Sequence, residues 1–249
     1  MKIINTNSNT SILNVSNINF NIDGIVIDET TLKNKLPLSY KNYTFNCDSL
    51  YHQPNKFYHL KTGKINTTNT SLKVNQFQLI PKDGRREFSN KTEKEKDLFT
   101  VFSKEINIKN LNWGFNSKVL FINAELLQLQ EVDANVYRNK LPEDDLTKKN
   151  LYNKLLRDLK FNLKIDTLKI QNSILTYEEE KSFEKGPSKL TFNNFNLTAT
   201  SISSGFNHEK VSDLKINIDC KFMNVSPLKI SWTFNILDKK TDLTLKEDF

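Results

Sequence analysis

Leu163-Lys-Ile165-Asp-Thr-Leu168-Lys-Ile170 is the stretch whose reading decides the fold. Apolar and polar side chains alternate as in a strand with one buried face, but the two-residue step Asp166-Thr167 shifts the phase by one. A strand keeps its apolar side chains on one face through such a step only with a β-bulge or a sharp change of direction. The same spacing recurs as Leu13-Val15-Ile18-Phe20, Leu72-Val74-Phe77-Leu79, Ile106-Ile108-Leu111-Trp113, Ile122-Ala124-Leu127-Leu129 and Leu190-Phe192-Phe195-Leu197. The copies are unevenly spaced, which excludes a solenoid of fixed period. Plain alternation fills other intervals, at Leu214-Lys-Ile216-Asn-Ile218 and from Leu228 to Ile236, and the turn formers Asn34, Pro37, Asp83-Gly84, Gly186-Pro187 and Gly205 separate runs. These residues predict a mainly β chain, a long antiparallel sheet of bent strands.

One segment breaks the rhythm. Pro142-Glu143-Asp144-Asp145 carries helix-start signals and leads into Leu151, Leu155, Leu156 and Leu159 at helical spacing, predicting one short amphipathic helix around 143–159. Its other face would present Lys148, Lys149, Lys154 and Arg157. Two roles fit: packing the leucines on the sheet, or serving as a plug, lid or contact with an anionic bilayer. Residues 1–249 are expected to form a single elongated β-rich unit, with the charge-rich stretch 82–100 as the place where it would subdivide. Alternation continuing to Leu243-Thr-Leu245 leads us to expect a segment of a longer protein.

The chemistry of the composition is thin. The formal charge of +7 is not gathered: Lys82 to Glu87 and Lys91 to Asp97 interleave both signs, as solvated loops do. No run approaches the roughly 20 apolar residues of a membrane-spanning helix. The chain has no P-loop, dinucleotide fingerprint or GxSxG elbow. His52, His59 and His208 stand in no zinc or haem spacing, so neither metal nor cofactor is expected. Cys47 and Cys220 can form one disulfide in an oxidising compartment or remain buried free thiols, and small-hydrophobe packing favours the second. Asp144-Asp145 fits helix capping, and Glu178-Glu179-Glu180 reads as a solvated acidic run at a strand end; nothing fixes the separation a glycosidase pair needs. Most recognisable Phe residues fall in the alternating rows and read as core, so no nucleic-acid partner is expected. An enzyme is not expected either.

The stretch from Asn150 through Arg157, Ile165, Ile170 and Ile174 to Tyr177, with Lys189-Leu-Thr-Phe192-Asn-Asn-Phe195, resembles the AsmA-like proteins of the Bacteroidetes envelope. Glu105-Ile-Asn-Ile108-Lys-Asn-Leu111 and Val136-Tyr137-Arg138-Asn-Lys140 are similar in style, so the likeness covers roughly residues 95 to 236. That resemblance implies an extended, twisted antiparallel sheet curled into a groove, as in TamB-like and bridge-like lipid-transfer proteins. It also implies a periplasmic location, with tethering by a membrane segment outside this chain, and a role in outer-membrane biogenesis or maintenance without catalytic residues. Apolar side chains would then meet phospholipid acyl chains or a membrane surface, with Leu72, Val74, Ile106, Ile108, Leu163, Ile165, Leu190 and Phe192 as the groove candidates. A closed sandwich gives the same alternation, so the residues alone leave groove and sandwich open. The alternative function is a β-rich scaffold or adhesion module that binds other envelope proteins through its sheet edges.

Overall fold

The computed structural model describes residues 1–5, 10–31, 38–116, 118–147, 150–206 and 208–239. They form one 15-stranded sheet and two short helices. Numbered in chain order, the main path across the sheet is β1 (Lys2–Asn5), β2 (Thr10–Ser16), β5 (Ser49–His52), β6 (Tyr58–Thr62), β8 (Ser71–Pro81), β9 (Lys96–Lys109), β11 (Val119–Asn139), β12 (Asn162–Glu180), β13 (Ser188–Ser203), β14 (Leu214–Phe222) and β15 (Ser226–Phe234). Strands β3 (Asn19–Asp23), β4 (Asn42–Cys47) and β7 (Ile65–Thr68) form a branch joined to β8, and β10 (Asn112–Asn116) pairs with β11. The sheet is open, with β1 and β15 at its ends. The expected mainly β fold is therefore present, but the sheet is mixed and not wholly antiparallel: β11 and β12 run parallel, from Phe121↔Asn162 to Asn139↔Glu180. Alternation is the same in either direction, and only the long connection over 140–161 reveals the parallel pair.

The phase shifts of the copies at 13–20, 72–79 and 190–197 line up as a crease across the sheet, whereas that of the copy at 106–113 falls at Asn110 (φ 50), in the turn between β9 and β10. Asn17 (φ 48) separates β2 from β3, and its amide donates to Asp48 at 2.6 Å, between β4 and β5. The crease continues through Gln76 (φ 52), Glu131 (φ 48), Asn172 (φ 53) and Asn194 (φ 48). The ladders skip the pairs Gln76/Lys104 and Lys104/Glu131, where Lys104 Nζ bonds Glu131 Oε1 at 2.5 Å. A left-handed residue turns the chain by one step, so the strand bends while its apolar side chains stay on one face. In the copies at 122–129 and 163–170 the expected corner is misplaced. No left-handed residue lies at 125–126 or 166–167, and the bends come five residues after the second position of the step, at Glu131 and Asn172.

Cross-strand partners share a face, so the registers show what each face carries. One row is Leu72–Ile108–Leu127–Leu168–Ala199–Ile216–Trp232, across seven strands. A second is Val74–Ile106–Leu129–Ile170–Leu197–Ile218–Ile230. Beyond the crease runs Leu79–Val101–Ala134–Leu175–Phe192–Phe222. The opposite face reads Lys73–Asn107–Gln128–Lys169–Thr198–Asn217–Ser231. One face is apolar and the other polar, and among the described residues no second sheet covers the apolar one.

Helix α1 (Arg85–Asn90) buries Phe88 against Leu98 and Tyr137 on the polar face, so the stretch read as a solvated loop at 82–87 is partly structural. Helix α2 (Tyr152–Arg157) is much shorter than the span expected over 143–159. Glu143 pairs instead with the backbone at Lys94 and Glu95, which holds the chain extended there. Asp145 accepts from the Thr147 amide at 3.1 Å, and such local bonds compete with helix. Leu156 of α2 packs on the buried cluster Ala199, Ile202, Leu214, Phe234 and Ile236. Asn34, Pro37, Lys148, Lys149 and the run from Leu243 lie outside the described residues.

Candidate functional site

The apolar face holds two concavities. The larger, about 1190 Å³, lies between the β3–β4 hairpin and the strands β8 to β11, with Phe20, Tyr43, Leu72, Ile108, Trp113 and Ile122 among its walls. The smaller, about 760 Å³, lies under α2 and over β12 to β15, walled by Leu155, Leu159, Leu168, Phe192, Ile216 and Trp232 among others. Leu127, in register between Ile108 and Leu168, links the two walls. Seven strands at a spacing of ~4.8 Å make this face roughly 29 Å wide. Among the described lining residues none is charged. Cys220 lines the smaller concavity, and burial pushes its thiol up, so it remains a neutral apolar neighbour.

Four groove candidates line these concavities: Leu72 and Ile108 in the larger, Ile165 and Phe192 in the smaller. Val74 and Ile106 are partners in the second row. Leu163 is the parallel partner of Ile122 and packs on the core cluster beneath α2. Leu190 pairs with Tyr177 and is exposed. The aromatic wall of Phe20, Tyr40, Tyr43 and Trp113 was not singled out in the sequence, nor was the wall from β14 and β15, although both alternating runs were legible as strands. Cys47 and Cys220 are both free and buried.

The ionisable chemistry lies elsewhere. Glu178 and Glu180, expected as solvated, are buried on the polar face. Arg85 and Asn135 both bond Glu178, and the Tyr137 hydroxyl donates to Glu180 at 2.5 Å. Burial and that carboxylate push the Tyr137 hydroxyl well above its usual range. Arg138 holds the buried Glu95 at 3.0 Å and Asp97 at 3.5 Å. His59 accepts or donates with the Tyr51 hydroxyl at 2.7 Å, and burial, with Lys82 and Lys61, depresses its pKa. Among the described residues no group of His, Cys, Asp or Glu is placed to hold a metal ion, and no helix is long and apolar enough to cross a membrane.

No family model matches the chain, and no curated protein or solved structure matches it. The likeness to AsmA-like proteins accordingly rests on the residues quoted for it, and the site is read from its own geometry. A single amphipathic layer with uncharged hollows can shield hydrocarbon from water. Among the described lining residues there is no nucleophile beside a base and no pair of carboxylates.

Proposed function

We propose that this chain is a non-enzymatic lipid-handling module, AsmA-like in character, whose apolar trough shelters phospholipid acyl chains. The observation that carries the reading is the pair of apolar rows crossing seven strands, over which the described residues place no second sheet and only the short helix α2 at the smaller hollow. Their side chains are only half-buried over most of the sheet, and Ile230 and Trp232 are still more exposed. Each methylene laid against them gains ~0.8 kcal/mol, so an acyl chain supplies the missing layer at a favourable free energy. The smaller hollow falls in the size range of small-molecule and cofactor sites and the larger exceeds it, and their uncharged described walls select by shape. Periplasmic placement and work in outer-membrane biogenesis or maintenance belong to the same proposal, through the resemblance.

The full chain, purified without detergent, is expected to carry phospholipid visible by native mass spectrometry and recoverable in organic extract. Lipid-free protein that also fails to take up added phospholipid overturns the reading. The scaffold alternative has one observation in its favour, the outer edge of β15, which no described strand pairs. Lys229 and Pro227 on that strand are residues that blunt edge pairing, so the trough is the stronger candidate.

A further inference from the structure

Helix α2 lies over the sheet without closing on it. Tyr152, Leu155 and Leu156 of the helix and Leu159 just past it follow at helical spacing, and all four line the smaller concavity. Ala199 and Ile216 of the sheet line it from the other side. Apolar surfaces of this kind normally interdigitate to close packing, yet a hollow of about 760 Å³ stays between them. The last turn of α2 sets that clearance. Leu156 packs on the buried cluster of Ala199, Ile202, Leu214, Phe234 and Ile236, and Arg157 Nη1 donates to the Ile236 carbonyl at 2.9 Å. Gly205, past the end of β13, comes so near that a Cβ there would meet Arg157 Cγ at 3.1 Å and Arg157 Cα at 3.3 Å. The turn therefore cannot sink further toward the end of β13, and it cannot lift without giving up the cluster and the Ile236 bond.

We infer that the smaller hollow is a one-chain site, which clasps a single acyl chain lengthwise between α2 and the strands β13 and β14 and leaves its polar end outside. The inference rests on the reading of the trough as a lipid site and narrows it to one chain at this hollow. Leu214, Ile216, Ile218 and Cys220 of β14 all line the hollow, and the six residue steps between the first and the last span ~20 Å. An acyl chain crosses half of a hydrocarbon core, ~15 Å, so one chain fits along this wall. A methylene fills about the volume of a water, ~30 Å³, so about 760 Å³ takes roughly 25 carbons, enough for one chain of ~16 and too few for two. Among the described lining residues none is charged, so a carboxylate or phosphate finds no counter-ion there and stays in water. A diacyl lipid places one chain here and the other elsewhere on the apolar face.

The two tryptophans of the chain test this, since Trp232 lines the smaller hollow and Trp113 the larger. The full chain, stripped of lipid, is titrated with dibromostearate, whose bromines quench an indole on contact. In W113F the emission of Trp232 falls along a saturable curve, and excess palmitate restores it. Lysophosphatidylcholine and dioleoylphosphatidylcholine as competitors separate a free single chain from one chain of a phospholipid as the source. L155D weakens the quenching of Trp232 at least roughly tenfold, because its carboxylate loses water against the bound methylenes. Leu155 is 51% exposed, so the fold persists by circular dichroism, and L155A, which adds no charge, shows the same loss in weaker form. I108D, in the wall of the larger hollow, leaves Trp232 quenching unchanged. Native mass spectrometry counts one palmitate fewer on L155D than on wild type. Any of three results overturns the inference: two or more palmitates lost in L155D, quenching of Trp232 that L155D and L155A leave untouched, or quenching of Trp113 in W232F with none of Trp232 in W113F. Failure of the trough reading shows separately and overturns both, as quenching of neither tryptophan and no lipid bound to any variant.

Discussion

Leu168→Asp tests the trough at its centre. Leu168 lies between Leu127 and Ala199 in the first apolar row and lines the smaller concavity. In the empty protein the side chain is half-buried, so a carboxylate there can face the water in the open trough. The fold then loses part of a leucine's burial, about 1–2 kcal/mol. With an acyl chain in place the same carboxylate loses its water against methylenes, a penalty of several kcal/mol. Taking ~3 kcal/mol of that as expressed in binding gives roughly 100-fold weaker affinity. Lys169→Asp is the control, one residue along and on the polar face between Gln128 and Thr198. It leaves affinity within about twofold, as a surface substitution should. Both variants of the full chain are titrated with a fluorescent fatty acid, with phospholipid per chain counted by native mass spectrometry and folding checked by thermal melts. Equal Kd values for L168D and K169D, with both folded, refute the assignment of this face to lipid.

At the crease, Asn194→Val forces a β-branched residue to φ 48 and is expected to cost about 1–2 kcal/mol in urea unfolding, whereas Asn194→Gly stays near wild type. Tyr137→Phe removes the hydroxyl that bonds the buried Glu180, and the expected loss is about 1–3 kcal/mol, with an intact fold by circular dichroism. The Tyr177 hydroxyl is pushed up to about 12 by burial and by Glu179, so the folded state holds its proton more tightly than the unfolded state, whose tyrosine titrates near 10. Its contribution is complete below pH ~10 and is lost as the pH rises toward ~12; Tyr177→Phe should flatten the stability profile in that alkaline window.

The strand content and the bent character of the strands were legible because alternation with a phase step has few physical solutions. Leu72-Val74-Phe77-Leu79 and Leu190-Phe192-Phe195-Leu197 place their left-handed residue, Gln76 or Asn194, at the second position of the step. The copies at 122–129 and 163–170 misled because the chain there is apolar at too many positions: Leu126 and Leu127 both fit, and the true corner waits for Glu131. Pairing direction was illegible, since a strand carries the same alternation up or down. Helix length was overestimated because leucine spacing continues past the point where Glu143 pairs with the start of β9. Of the site, the walls from β8, β9, β12 and β13 could be read from their alternation. The aromatic wall could not, because Phe20, Tyr40 and Trp113 come from three separate stretches that only the sheet's branching brings together.

The parallel pair explains why the apolar face is treated differently at its two hollows. From Glu143, beside the start of β9, the chain must return to Asn162 at the start of β12, opposite Phe121. With six residues in α2 and the rest extended, that connection reaches ~56 Å at most. The adjoining strand from Phe121 to Asn139 measures about 60 Å along its contour. A connection shorter than the strand beside it closes only as a chord across a bent sheet, so the crease at Glu131 and Asn172 and the crossover support one another. The chord passes over the concave, apolar side, and α2 leaves Leu155, Leu156 and Leu159 in the smaller hollow. Among the described residues the larger hollow has no such strap, and Phe20 and Tyr43 of the branching hairpin line it together with Trp113. An acyl chain in the smaller hollow therefore meets helix on one side and sheet on the other, while one in the larger hollow meets the sheet and the branching hairpin.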